Sequence, residues 1–182
     1  MPTRNIVPRI QSRLLAAGCL AAMAAVARLL PHPQNFTPVG GLALFAAATC
    51  RSPWNAVLLT LAAMAASDAV IGWHALVPVV YVALALTVPL GRWLRPRQRP
   101  LPILAATVGA AIVLFLISNL GVFLFQDLYP RTAAGLMSCY VAAIPFLLNS
   151  VLGNIAWSAL LFGAGAMLER CGLVPADPSL SG

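Results

Sequence analysis

The chain has 182 residues, of which 61% are hydrophobic and only 8% charged. A soluble domain carries about a quarter charged residues, so a water-soluble globule is excluded and lipid is the expected solvent. The net charge is +7, carried by arginine alone because lysine is absent. These arginines flank apolar runs, which reads better as a topology signal than as a phosphate-binding face, so no nucleic-acid partner is expected.

The apolar runs are continuous and Ala/Leu-rich, where barrel strands would alternate polar and apolar residues. At roughly 20 residues per span the length allows one domain of about six crossings. The expected fold is all-α: a polytopic membrane helix bundle with both termini cytoplasmic. Residues 1–12 form a cytoplasmic segment, 13–171 the six-helix membrane domain, and 172–182 a disordered cytoplasmic tail.

Residues 1–13 carry Arg4, Arg9 and Arg13, and Leu14 to Leu30 is the first apolar run. It has the basic start and small-residue site of a signal peptide, yet it continues apolar through Leu29 and Leu30, which favours a retained helix. Ala17, Ala21 and Ala25 recur every four residues on one face. Such a stripe permits close helix approach, either within the chain or onto a partner membrane subunit.

Next comes Pro31-His32-Pro33-Gln34-Asn35-Phe36-Thr37-Pro38, leading into a twelve-residue apolar segment, Val39 to Cys50. That segment is too short to span alone. The preceding loop is therefore expected to dip into the bundle, which is tolerated only beside protein or a water-filled cavity. Pro53 suits the first turn of a third run, Trp54 to Gly72, which holds Ser67 and Asp68 near its far end. The fourth run, His74 to Leu94, ends in a rigid loop carrying Arg92, Arg95, Arg97 and Arg99. Leu101 to Gln126 is the longest run, with Ser118 and Asn119 in its second half. A moderately apolar segment, Ala133 to Leu148, precedes the last full span, Asn149 to Leu168.

With the N-terminus inside, nine arginines fall in cytoplasmic positions and only Arg28 and Arg131 outside, a strong positive-inside bias. The polar residues then gather at the outer end. Buried polar groups in a membrane mark cavities or pathways, and a cluster at one end describes a cup. The candidate ligand-binding residues are His32, Asn35, Thr37, Asp68, Asn119, Tyr129, Arg131, Tyr140 and Asn149. Each also has a plainer role. Asp68 can pair with Arg28 or Arg131, His32 can be an interfacial polar group, Asn119 can bond a neighbouring helix, and Tyr129 and Arg131 can shape a turn.

The four cysteines, Cys19, Cys50, Cys139 and Cys171, form no C-x-x-C pair and read as packing residues. No G-x-S-x-G, H-E-x-x-H or phosphate-loop motif is present, and Glu169 and Asp177 belong to the opposite end from the cup. Neither catalysis nor a cofactor or metal is expected, and any ATPase would be another chain.

Several stretches together resemble a family of small uncharacterised bacterial integral membrane proteins: Pro31 to Gly40, Ser67-Asp68, Ser118 to Val122, Leu128 to Leu136 and Cys139 to Phe146. Their layout is similar to the substrate-binding S component of energy-coupling factor (ECF) vitamin transporters. That resemblance implies six helices in the bacterial inner membrane, an outward pocket shaped by the first loop, and capture of a vitamin or metal chelate. It also implies a transmembrane coupling subunit, docked through Ala17, Ala21 and Ala25, and partner ATPases. One S-component group binds cobalamin and has a similar His-Pro-rich loop. Its cobalt-ligating cysteine has no counterpart after Asp68, where Tyr81 stands nearby, and Asn154 replaces an expected acid.

Overall fold

The computed structural model describes residues 6–174, with side chains from Leu15 onward. Part of the expected N-terminal segment and most of the expected tail, from residue 175, lie outside the described residues. Six α-helices follow one another: α1 (Ile6–Ala27), α2 (Val39–Thr49), α3 (Pro53–Ile71), α4 (Val77–Leu94), α5 (Pro100–Phe125) and α6 (Ala133–Arg170). No strand occurs among the described residues.

The helix boundaries follow local chemistry. Proline occupies the first turn of α3, α4 and α5, where its missing N–H has no intrahelical partner to lose. Gly72 ends α3 with a φ of 112°, a left-handed value that suits glycine. Thr132 caps α6 by accepting a hydrogen bond from the Gly135 N–H at 3.1 Å.

Helices α3, α4, α5 and α6 are each long and apolar enough to cross a membrane. Only 17% of the most apolar stretch of α5, and the same share of α6, is buried inside the protein. The outward faces carry Trp54, Leu58, Leu101, Leu116 and Leu152 instead. In water such a surface would be an aggregation site; against acyl chains it is the solvated face. The protein is a helical membrane bundle.

The short α2 is its axis. Every residue from Val39 to Ala48 is buried, and the helix packs against all the others. Its sequence is mostly glycine and alanine, which suits association in lipid, where close backbone contact supplies the attraction. A Cβ added at Gly41 would stand 2.9 Å from the Ser158 backbone nitrogen of α6, and one at Gly91 of α4 would stand 2.7 Å from the Leu44 carbonyl oxygen. Larger residues at these points would wedge the helices apart.

Two expectations change. The segments Ala133–Leu148 and Asn149–Leu168 are one continuous helix despite Pro145 in its interior; membrane helices absorb such a proline because neighbours re-satisfy the freed carbonyl. The alanine stripe of α1 also turns inward. Ala17 and Ala21 are buried, and Ala21 packs in one cluster with Leu20, Ala24, Leu42, Leu44 and Phe45. Small residues there let α1 lie close to its own bundle, so Ala17 and Ala21 offer no free docking face, while Ala25 is half-buried.

Candidate functional site

The site arises from a mismatch of lengths. Eleven residues make α2 about 16 Å long, roughly half of the 30 Å hydrocarbon thickness. Its N-terminal residue Val39 packs with Met64 of α3 and Leu84 of α4, well inside both helices. The loop 31–38 therefore lies deep. Asn149 of α6 donates a hydrogen bond to the Gln34 carbonyl at 3.1 Å, and a Cβ on Gly153 would stand 2.9 Å from Phe36 Cα. From Ala133 to Asn149, about 24 Å of helix length extends beyond the loop at 1.5 Å per residue. The bundle has a hollow where α2 is missing, floored by the loop.

This hollow is a cavity of about 930 Å³, within the range of small-molecule sites. Its floor carries His32, Gln34, Asn35 and Thr37, α5 contributes Ser118 and Asn119, and Gln126 follows just past the end of α5. Arg28 enters from the end of α1 and Tyr129 from the α5–α6 connection. Apolar walls come from Leu29, Val70, Ile71, Val122, Leu128 and Phe146, and Cys139 completes the α6 side. Asn35 holds a φ of 63°. Asparagine tolerates this left-handed conformation, and it lets the chain reverse between two proline-stiffened stretches.

The expected residues divide. His32, Asn35, Thr37, Asn119 and Tyr129 do line one cavity. Asp68 stands behind its wall. Its carboxylate pairs with Arg28 at 2.8 Å, with side chains 3% and 14% exposed, and accepts a hydrogen bond from the Tyr81 hydroxyl at 2.9 Å. The same Arg28 nitrogen also meets the Ser67 hydroxyl and, at 3.4 Å, the Met64 carbonyl. A cation is well placed here, at the negative end of α3.

Three others hold the frame. Arg131 donates to the Phe123 carbonyl at 2.6 Å and to Asp127 at 3.1 Å, capping the end of α5. The Tyr140 hydroxyl donates to the Leu116 carbonyl at 2.8 Å, tying α6 to α5. Asn149 anchors the loop as described. None of the three is among the lining residues. Asn119 has both roles: its side-chain amide donates to the Phe115 carbonyl at 2.8 Å, and its backbone carbonyl accepts from the Cys139 thiol at 3.5 Å. His74 is exposed and away from the lining.

Arg28, Gln34, Ser118 and Gln126 are polar lining residues absent from the expected binding set. The signal for Arg28 was present: it is one of only two arginines at the polar end, and pairing with Asp68 was one of its expected roles. Gln34 sits inside the loop motif itself. Among the described residues, no group of three or more His, Cys, Asp or Glu is placed to hold a metal ion.

A family-level comparison covers nearly the whole bundle: the DUF6580 family, a family of unknown function, matches residues 8–175. The chain belongs to the DUF6580 family. No curated protein and no solved structure matches it. The match takes in all the cavity-lining residues of this DUF6580 chain, from Arg28 to Phe146.

Proposed function

We propose that the protein captures a small molecule within the membrane, in the manner of a transporter's substrate-binding subunit. The single observation that carries this reading is the cavity above α2, with a polar floor, apolar walls and all its polar groups at one end of the bundle. The other end is basic: Arg92 and Arg95 both donate to the carbonyls of Cys50 and Arg51 there. Under the positive-inside rule that end faces the cytoplasm of a bacterial inner membrane and the cavity opens outward. A cup of this kind needs other chains for energy, so a transmembrane coupling subunit and ATPases of the ECF kind belong to the same proposal. A vitamin or metal chelate is the cargo that the resemblance implies.

Binding is favoured over catalysis by the state of Asp68. Among the described residues it is the one carboxylate buried within the bundle, and it is held by Arg28 and Tyr81 and is not among the cavity-lining residues.

The test is mass spectrometry of protein purified in mild detergent, beside a Ser118→Trp variant that pushes a bulky ring into the cavity. Wild type is expected to retain a small molecule that the variant lacks. A wild-type protein that folds but carries nothing, and melts at one temperature with or without cell extract, would identify a purely structural membrane protein.

A further inference from the structure

We infer that the molecule held in this cavity carries a carboxylate, seated on the free edge of Arg28; this rests on the capture reading above. Every contact of the Arg28 guanidinium with the described residues runs through one nitrogen. Nη1 faces Asp68 at 2.8 Å, the Met64 carbonyl at 3.4 Å, and the Ser67 hydroxyl. Nε and Nη2 donate no hydrogen bond to any described residue. Guanidinium has five N–H donors in a fixed fork, and the Nε–Nη2 edge matches the two oxygens of a carboxylate. Because Arg28 lines the cavity, that edge belongs to the one guanidinium in its wall among the described residues.

The rest of the lining agrees in sign. Among the described residues it contains no aspartate or glutamate, and its other polar groups are neutral side chains and His32. A cationic cargo would find no counter-charge there. The number of charges is limited as well. Asp68 already neutralises Arg28 from behind, so a second anion gains one charge-assisted fork and faces one carboxylate nearby. A monoanion suits this balance, whereas a phosphate dianion would be left undercompensated at low dielectric. Val122, Leu128 and Phe146 in the same lining offer the apolar body of the cargo an apolar wall.

Asp68 thereby also acts as a placeholder. It keeps the guanidinium paired, and so tolerable in the membrane, while the cavity is empty.

The experiment measures thermal melting of the full chain in nanodiscs with 3-phenylpropionate, hexanoate, their primary amides, hexylamine and phenyl phosphate, each at millimolar concentration. The two carboxylates are expected to raise the melting temperature by several degrees and the amides and amine to leave it unchanged. Arg28→Lys keeps the ion pair with Asp68 but loses the fork, and its carboxylate affinity is expected to fall at least tenfold. The double variant Arg28→Gln/Asp68→Asn, which leaves no buried charge, is expected to lose the response entirely. Equal shifts from acids and amides, a stronger shift from phenyl phosphate, or none from any probe would each overturn the carboxylate assignment. A neutral or cationic molecule retained on purification would overturn it while leaving capture standing; an empty protein that ignores every probe would remove both.

Discussion

Asp68 and Arg28 form an ion pair at 2.8 Å that joins the end of α1 to the last turns of α3, with both side chains largely buried. A third helix enters through the Tyr81 hydroxyl of α4, 2.9 Å from the second Asp68 oxygen. The pair thus fixes three helices around one rim of the cavity.

Removing one partner leaves the other charge buried and uncompensated, which costs about 3–5 kcal/mol. Asp68→Ala is therefore expected to lower stability strongly, and any loss of ligand binding would be secondary to that. Arg28→Ala/Asp68→Ala should be more stable than either single variant. Reversible unfolding in mixed micelles measures the cycle; a double variant as unstable as the sum of the singles would argue against pairing.

Asn35 is expected to respond to backbone geometry. Its φ of 63° costs other L-residues roughly 1–2 kcal/mol. Asn35→Val should destabilise the protein by about that much, and Asn35→Gly by less, in the same unfolding assay. If glycine proves worse than valine, the side chain matters more than the left-handed turn.

Gly153 lies against the floor loop, where a Cβ would meet Phe36 Cα at 2.9 Å. Gly153→Ala is expected to cost about 1–3 kcal/mol by overpacking and to loosen ligand retention by displacing the loop. Gly163, with open space around its Cβ position, is the control: Gly163→Ala should be neutral or slightly stabilising, since alanine favours helix by roughly 1 kcal/mol.

Asn149 and Arg131 separate anchoring from surface capping. Asn149→Ala removes the bond to the Gln34 carbonyl, so about 1 kcal/mol of stability and part of the ligand affinity should be lost together. Arg131 is half-exposed and its partner Asp127 fully so, which limits their pair to less than about 1 kcal/mol. Arg131→Ala is expected to leave ligand retention unchanged, measured by mass spectrometry on the purified variant.

Ala21 tests the direction of the α1 stripe. It is buried among Leu20, Ala24, Leu42 and Leu44, so Ala21→Leu should destabilise the isolated chain by about 1–3 kcal/mol. A melting temperature equal to wild type would instead indicate a face free for a partner.

Much of the architecture was legible because it depends on composition and run length. Lipid as solvent follows from the scarcity of charge, and helices follow from continuous apolar runs. The need for the 31–38 loop to dip inward follows from twelve apolar residues being too few to cross. The division between Leu148 and Asn149 was misleading, since a change in apolar character does not end a helix where an open backbone would be costly in a membrane.

The site was legible only in part. The loop residues His32, Asn35 and Thr37 could be placed because they adjoin the short helix. Asn119 and Tyr129 could be placed because polar groups at one depth tend to share a cavity. The roles of Asp68, Arg131, Tyr140 and Asn149 depended on which partner each reached across helices, and spacing along the chain carries no such information.

By itself, the sequence determined that this protein is a helical membrane bundle with its polar groups at one end, because hydrophobic length and charge placement act residue by residue. Only the tertiary structure decided that α2 is the buried axis, that its shortness leaves a cavity of about 930 Å³, and that Asp68 is held by Arg28 behind the wall of that cavity. Those outcomes depend on which helices touch, and close contact was set by Gly41 and Gly91 meeting particular backbone atoms across the bundle.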